Sequence, residues 1–384
     1  MNDDIIYLDH AAATPVDEQV LFAMQPYMSD MFFNPSSPYE PARQVRRDYE
    51  AAKDVIARAI GAKADELVMT AGATESINLA FSLPGHKVIS AIEHQAVFGA
   101  ASGGDYTTAP VDKSGRIDIT ELRRAITAKT TLVSIGLANS EIGTIQPLSD
   151  IAKIVAEVRS QRLESGNHTP LWLHSDASQG LGQLDVNVAR LGLDMLTLNA
   201  GKVYGPKQVG LLYVARQVAL SPQINGGGQE QGLRSGTENV PGVIGFARAI
   251  ELAEARRKAE VSRLTELRNH LRSRLVEQFP EAVVSGSKKH QLAGHLHISF
   301  PGIDAERLVF MLEMKQVLVA TGSACAANKG TRSHVLTAIG LEPELADGSL
   351  RLTLGRATDR AKVDRAADEI IKAVASEQQR VSAR

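Results

Sequence analysis

The chain has 384 residues, more than one hydrophobic core normally serves, so two subdomains are expected. With 43% hydrophobic and 22% charged residues its composition is that of an ordinary globular protein. The 42 basic and 44 acidic residues give a net charge of −2 with both signs interspersed, which excludes a broad electrostatic footprint for nucleic acid or an anionic membrane.

The start, Met1-Asn2-Asp3-Asp4, lacks the basic residues of a signal peptide, and no apolar run approaches the length of a membrane span. From about Glu66 to Val214, short apolar runs alternate with loops and helical patterns. Leu67–Thr70, Lys87–Ala91, Thr131–Ala138, Leu171–His174, Met195–Leu198 and Gly210–Val214 read as buried strands, with amphipathic segments such as Asp150–Arg162 between them. This alternation predicts an α/β domain around a mostly parallel sheet, whose ligands gather at the carboxyl ends of the strands. A long helix is expected after Pro241, with Ala247, Ile250, Leu252, Ala255 and Leu264 on one apolar face, ending near Pro280. A strand returns at His295–Phe300, and further helices lead to Arg384. His295 and His297 alternate along that strand without a matching carboxylate or cysteine, so they read as ordinary strand residues and not as metal ligands. The expected division is 15–250 for a large domain and 1–14 with 251–384 for a small α+β domain.

Four short stretches carry chemistry. Gly72-Ala73-Thr74-Glu75-Ser76 follows a strand and opens a helix, where exposed N–H groups and the helix dipole favour an anion such as phosphate; the same residues also start many helices that bind nothing. Asp176 follows the strand Leu171–His174; it could hold a cationic ring nitrogen or simply cap a helix. Lys202 lies between a buried strand and a Gly-Pro turn, in Asn199-Ala200-Gly201-Lys202-Val203-Tyr204-Gly205-Pro206. Most lysines are solvated, but one held in such a turn beside an anion cradle and a carboxylate suits a Schiff base with pyridoxal phosphate. Cys325, the only cysteine of the chain, sits in Thr321-Gly322-Ser323-Ala324-Cys325-Ala326-Ala327-Asn328. Its small neighbours leave the thiol reachable, which points to a reactive group more than to a small core hydrophobe. A lone thiol forms no internal disulfide and suits a reducing compartment, so a cytoplasmic location is expected.

Taken in order, these stretches resemble the cysteine desulfurases of the NifS/IscS type, within the class-V aminotransferase family of fold-type I pyridoxal phosphate enzymes. The resemblance runs over nearly the whole chain and includes Tyr7-Leu8-Asp9, Asn34-Pro35-Ser36-Ser37, Glu93-His94, Glu141-Ile142-Gly143, Asp176 with Gln179, Lys202–Pro206, Arg234-Ser235-Gly236-Thr237, Gly322–Cys325 and Arg351. It implies a large domain built on a mostly parallel seven-stranded sheet. It also implies that Lys202 bears the cofactor, that Asp176 pairs with the ring nitrogen and that Gln179 contacts the phenolic oxygen. His94 would stack on the ring and assist proton transfer, with Ser140 beside the cofactor. Phosphate would be bound by Ala73, Thr74, Asn199 and, from the partner of a homodimer, Thr237. Arg351 would grip the substrate carboxylate, Asn34 would also bind substrate, and Cys325 would attack the substrate sulfur. The segment from Cys325 to His334 has the length of the long, mobile loops of these enzymes.

Several positions depart from the family pattern. Gly201 stands where a histidine usually precedes the lysine, Ser140 replaces an asparagine, and Tyr39 and Ala42 replace a histidine and a glycine. The missing histidine removes a charge-assisted hydrogen bond worth roughly 1.5–3 kcal/mol. The implied reaction is conversion of L-cysteine to L-alanine, with a persulfide on Cys325 passed to an acceptor such as an iron–sulfur scaffold or a tRNA-thiolation protein. Selenocysteine cleavage, transamination and a cofactor-binding scaffold of reduced activity are the alternatives on the same fold.

Overall fold

The computed structural model describes residues Asp4–Gly322 and Arg332–Ala383. Cys325 and most of the segment expected to form a mobile loop lie outside the described residues. Among the described residues thirteen strands appear in three sheets. The largest joins β2 (Leu67–Thr70), β3 (His86–Ser90), β4 (Tyr106–Ala109), β5 (Thr130–Ser134), β6 (Trp172–Asp176), β7 (Met195–Asn199) and β8 (Gly210–Val214) in the order β2-β8-β7-β6-β5-β3-β4. Only β8 runs antiparallel to its neighbours; the other pairs are parallel. Strands such as β3, β5 and β8 are buried along their whole length, as expected for a sheet covered by helices on both faces.

Two differences from the expected strands have local causes. β4 has no apolar run: Tyr106, Thr107 and Thr108 are exposed, because this is the sheet's edge. The strand expected over Thr131–Ala138 ends at Ser134. Beyond it, Ile135 and Leu137 still donate to the His174 and Asp176 carbonyls of β6, but the Gly136 N–H between them, on the other edge, is taken by the Glu93 carboxylate at 2.9 Å.

The helix Val240–Gln278 spans 39 residues and packs on the large sheet's helices at one end and on the carboxyl-terminal elements at the other. Its cap is Asn239, whose side chain accepts from the Gly242 N–H, and Pro241 occupies the first turn, where its missing N–H costs nothing. One hydrophobic cluster runs from Val20 to Ala253; a second joins Ile6 and Leu8 to residues between Leu264 and Val374. In the second region β12 (Ala320–Thr321), β13 (Ser349–Thr353), β10 (His295–Ser299) and β9 (Val283–Ser285) form an antiparallel sheet. β1 (Ile6–Tyr7) pairs in parallel with β11 (Val317–Leu318), tying the start of the chain to this region. No described helix is long and apolar enough to cross a membrane.

Candidate active site

The carboxyl ends of β5, β6 and β7 open on a cavity of about 340 Å³. Ala73, Thr74, His94, Ser140, Asp176, Gln179, Asn199, Lys202 and Arg351 all line it. Residues separated by up to 278 positions (73 to 351) are thus brought together by the parallel sheet and by β13. Asn34 and Thr237 are not in this lining. Asn34 is exposed, its Oδ1 accepting from the Ser36 N–H at 2.9 Å, and Thr237 is exposed just before the long helix. Asn34, expected to bind substrate, is thus not among the groups this cavity brings together.

At one end of the cavity lies the turn after β2. Gly72 has φ 141° and precedes the helix Ala73–Ala80, a backbone conformation that L side chains rarely adopt. β8 also passes against it: a methyl group at Gly210 would lie 2.6 Å from the Gly72 Cα. The N–H groups of Ala73, Thr74 and Glu75 have no intrahelical acceptor and open on the space shared with Asn199, Gly201 and Lys207. Glu75 stiffens the turn, accepting from the Ala71 N–H at 2.8 Å and pairing with Arg234 at 2.9 Å.

Asp176 ends β6 beneath this turn. Its Oδ1 accepts from the Ser178 N–H at 2.9 Å, so the capping and the functional readings of this carboxylate are not exclusive. Lys202 sits in the turn after β7, braced by Asn199, whose Oδ1 accepts from the Gly201 N–H. Its Nζ donates to the carbonyl oxygens of Ala11 at 2.8 Å and Ala12 at 2.7 Å. Gln179 Nε2 donates to the same Ala11 oxygen at 3.0 Å. Burial, and next the Arg351 charge, hold the lysine amine below its usual range, with Asp176 and Asp9 acting in the opposite sense.

Arg351 lies on β13, 7% exposed, with Nη2 donating to Asp9 Oδ1 at 2.7 Å. Its Nε has no hydrogen-bond partner among the described residues. His94 is exposed at the rim, where its Nδ1 accepts from the Ala96 N–H and caps the helix Gln95–Ala101. His295 and His297 are fully buried strand residues without hydrogen-bond partners among the described residues. Burial, then the nearby Arg351 charge, push both down to about 3, so they are neutral.

Sequence reasoning misses several lining groups. Glu93 is buried beside Asp176, and burial pushes its carboxyl up to about 8. Ser178 is buried with an unpartnered hydroxyl among the described residues. The Ala11 and Ala12 carbonyls, which hold Lys202, carry no side-chain signal at all. Asp9 and Glu93 stand inside recognised motifs, and that is the signal that could have found them.

Comparison with known proteins agrees with this geometry. The model of the class-V aminotransferase family, a family of pyridoxal phosphate enzymes, matches residues 6–366. The cysteine desulfurase IscS of Dictyoglomus turgidum is 40% identical over 368 residues, covering 92% of this chain and 91% of its own. Among solved structures, a NifS-like protein superposes with a TM-score of 0.88 at 31% identity, covering 97% of this chain and all (100%) of that one. The structure of SspA in complex with cysteine gives a TM-score of 0.76 at 34% identity, covering 91% and 98% of the two chains. With a matching family model over most of its length and relatives at this identity, the chain belongs to the class-V aminotransferase family, among its NifS/IscS-like cysteine desulfurases.

Proposed function

We propose that this protein converts L-cysteine to L-alanine and carries the released sulfur as a persulfide on Cys325. One observation carries the reading: the Lys202 amine, the Asp176 carboxylate and the Arg351 guanidinium converge on one cavity, whose far end is a helix first turn open to an anion.

The residues present fit pyridoxal phosphate. A carboxylate, an amine of lowered basicity and an anion cradle all line this one cavity, the groups that a ring nitrogen, an aldehyde and a phosphate require. Lys202 would hold the aldehyde carbon, Asp176 the ring nitrogen and Gln179 the phenolic oxygen. The Ala73 and Thr74 backbone, Thr74 Oγ1 and Asn199 would hold the phosphate, with Ser140 and His94 along the ring. When bound, the cofactor supplies an electron sink for the bonds around the substrate's α-carbon. Arg351 orients the substrate by its carboxylate, and Asp176 keeps a positive ring nitrogen in place by its charge. The Cys325 thiolate then attacks the substrate sulfur: an S–S bond forms, the substrate's C–S bond breaks, and the carbon takes up a proton to become the methyl group of alanine.

Thr237, exposed outside the chain's own cavity, supports a homodimer in which it reaches the partner's phosphate. The two separate hydrophobic clusters support a large domain over 15–250 and a small one over 1–14 and 251–384. The sole thiol supports a cytoplasmic setting. The sulfur acceptor is proposed by class, an iron–sulfur scaffold or a tRNA-thiolation protein.

The reading is tested by giving purified, cofactor-loaded protein L-cysteine without reductant. Alanine should appear together with the mass of one added sulfur on the peptide containing Cys325, and a thiol reductant should remove that mass. 3-Mercaptopyruvate, which keeps the sulfur, in place of alanine would point to transamination instead.

A further inference from the structure

Glu141 is 5% exposed and stands in a stiff turn. Asn139 Oδ1 accepts from the N–H groups of both Glu141 and Ile142 at 2.9 Å, and Asn139 Nδ2 donates to the Ile92 carbonyl at 2.8 Å. The Glu141 carboxyl therefore has little freedom, and its two oxygens face two different pieces of chain.

Oε2 accepts from Ser333 Oγ at 2.8 Å, in a buried hydrogen bond between residues 192 positions apart. Ser333 in turn caps the helix His334–Ala338, its Oγ accepting from the Leu336 N–H. Val335 and Leu336 of that helix pack with Ile92 and Ile142 in a small hydrophobic cluster of their own. His334 adds a further tie, donating from Nε2 to the Glu93 carbonyl at 2.9 Å.

Oε1 has no hydrogen-bond partner among the described residues and faces Gly322. A methyl group at Gly322 would lie 2.9 Å from Oε1, 3.1 Å from His297 Nε2 and 2.7 Å from Ser349 Oγ, a space only glycine can occupy without displacing them. Gly322 directly follows β12, which pairs with β13 at Leu350 and Arg351. Cys325 comes three residues after Gly322 and eight before Ser333 in the chain.

We infer that Glu141 is a positioning residue for the sulfur-accepting thiol: its carboxyl bonds one flank of the segment that bears Cys325 through Ser333 and lies against the other at Gly322, next to the strand that bears Arg351. The inference rests on the reading that Cys325 attacks the substrate sulfur, and it adds what aims the thiol. A glutamate reaches both flanks with two oxygens; alanine reaches neither, and glutamine keeps one carbonyl oxygen for Ser333.

In cofactor-loaded protein, Glu141→Ala should slow single-turnover persulfide formation on Cys325 by about tenfold or more, since a misplacement of about 1 Å can cost that much or more. Binding of the product L-alanine, followed by titration of the visible band, should stay within about twofold of wild type, because Arg351 and Lys202 are untouched. Glu141→Gln should recover most of the loss. Tryptic nicking after Arg332 should be about threefold faster or more in Glu141→Ala, reporting the released flank without reference to turnover. Ser333→Ala removes the same bond from the other side and should slow persulfide formation in the same direction, which keeps the test available if Glu141→Ala does not fold. Persulfide formation near the wild-type rate in the foldable variants overturns the inference. So does loss of L-alanine binding in parallel with turnover, which marks general damage to the site. Full sulfide release by Cys325→Ser would instead overturn the parent reading.

Discussion

Arg351 Nη2 lies 2.7 Å from Asp9 Oδ1, a pairing between the strand β13 and the segment that follows β1. Both side chains are largely buried, at 8% and 19% exposure, so the pair fixes one edge of the guanidinium while the rest faces the cavity. The same amino-terminal segment holds Lys202 and Gln179 through the Ala11 and Ala12 carbonyls. Residues 9–12 thus brace three of the groups assigned to cofactor and substrate.

Removing Asp9 leaves a buried guanidinium without its counter-charge. Asp9→Ala should lower stability by about 3 kcal/mol, read from urea unfolding. It should also lower kcat/KM for cysteine by about tenfold or more while kcat falls less, because carboxylate binding depends on the fixed arginine. Asp9→Asn, which keeps an acceptor, should retain most of the stability. An unchanged KM in Asp9→Ala would show that the pair does not orient Arg351 for substrate.

The lysine and carboxylate assignments have separable signatures. Lys202→Ala should lose the visible absorbance band and the borohydride-reducible attachment of the cofactor; the same adduct at another lysine would exclude the assignment. Asp176→Asn should keep the fold and bind the cofactor but lose nearly all turnover, since a neutral amide cannot keep the ring nitrogen positive. Near wild-type turnover in that variant would refute the electrostatic role.

Much of this site is legible in the sequence because its groups follow strands. Asp176 and Lys202 come two and four residues after the apolar runs ending at His174 and Leu198, and Gly72 marks the turn before a helix. The backbone acceptors at Ala11 and Ala12 are not legible: they lie 191 and 190 positions from Lys202, and a carbonyl has no residue type. The edge strand Tyr106–Ala109 is hidden for a different reason, being exposed and polar where the pattern seeks apolar runs. Glu93 shows how burial changes a motif's meaning. In the sequence it is a charged neighbour of His94; in the fold it is a buried carboxyl against Gly136.

That burial sets a pH dependence. Glu93 and Glu141 are both pushed up to about 8, chiefly by burial, from the ordinary glutamate value of 4.5. Between those values the folded protein binds more protons than the unfolded chain, so their contribution to stability falls as pH rises from about 4.5 to about 8. His295 and His297, pushed down to about 3, act oppositely, and their contribution grows from about pH 3 up to 6.5. Above pH 6.5 the carboxyls dominate this set. Glu93→Gln should therefore lose less stability than wild type between pH 6.5 and 8, by up to about 1.4 kcal/mol per pH unit. Parallel urea-midpoint curves for the two proteins would show that Glu93 is already ionised.

Gly201 offers a gain-of-affinity test. A Cβ there would lie 3.2 Å from Lys207 Cδ and 3.4 Å from Asn199 Oδ1, contacts that a flexible lysine can relieve. Gly201 lines the anion-facing space, so Gly201→His should tighten cofactor binding by about tenfold or more, the equivalent of one charge-assisted hydrogen bond. A dissociation constant equal to wild type would show that Lys207, which lines the same space, already supplies that contact.

The thiol itself is the sharpest test, because the chain has a single cysteine and any sulfur mass must sit on it. Cys325→Ser leaves Lys202, Asp176 and Arg351 in place, so it should load the cofactor and bind cysteine with the same change in the visible band. It should then stop, because a serine hydroxyl is far less nucleophilic towards sulfur than a thiolate. Alanine release should fall with persulfide formation and not independently of it, since the bond to sulfur breaks only as the new S–S bond forms. Alanine and sulfide produced by Cys325→Ser at the wild-type rate would mean that sulfur leaves the substrate without passing through this residue.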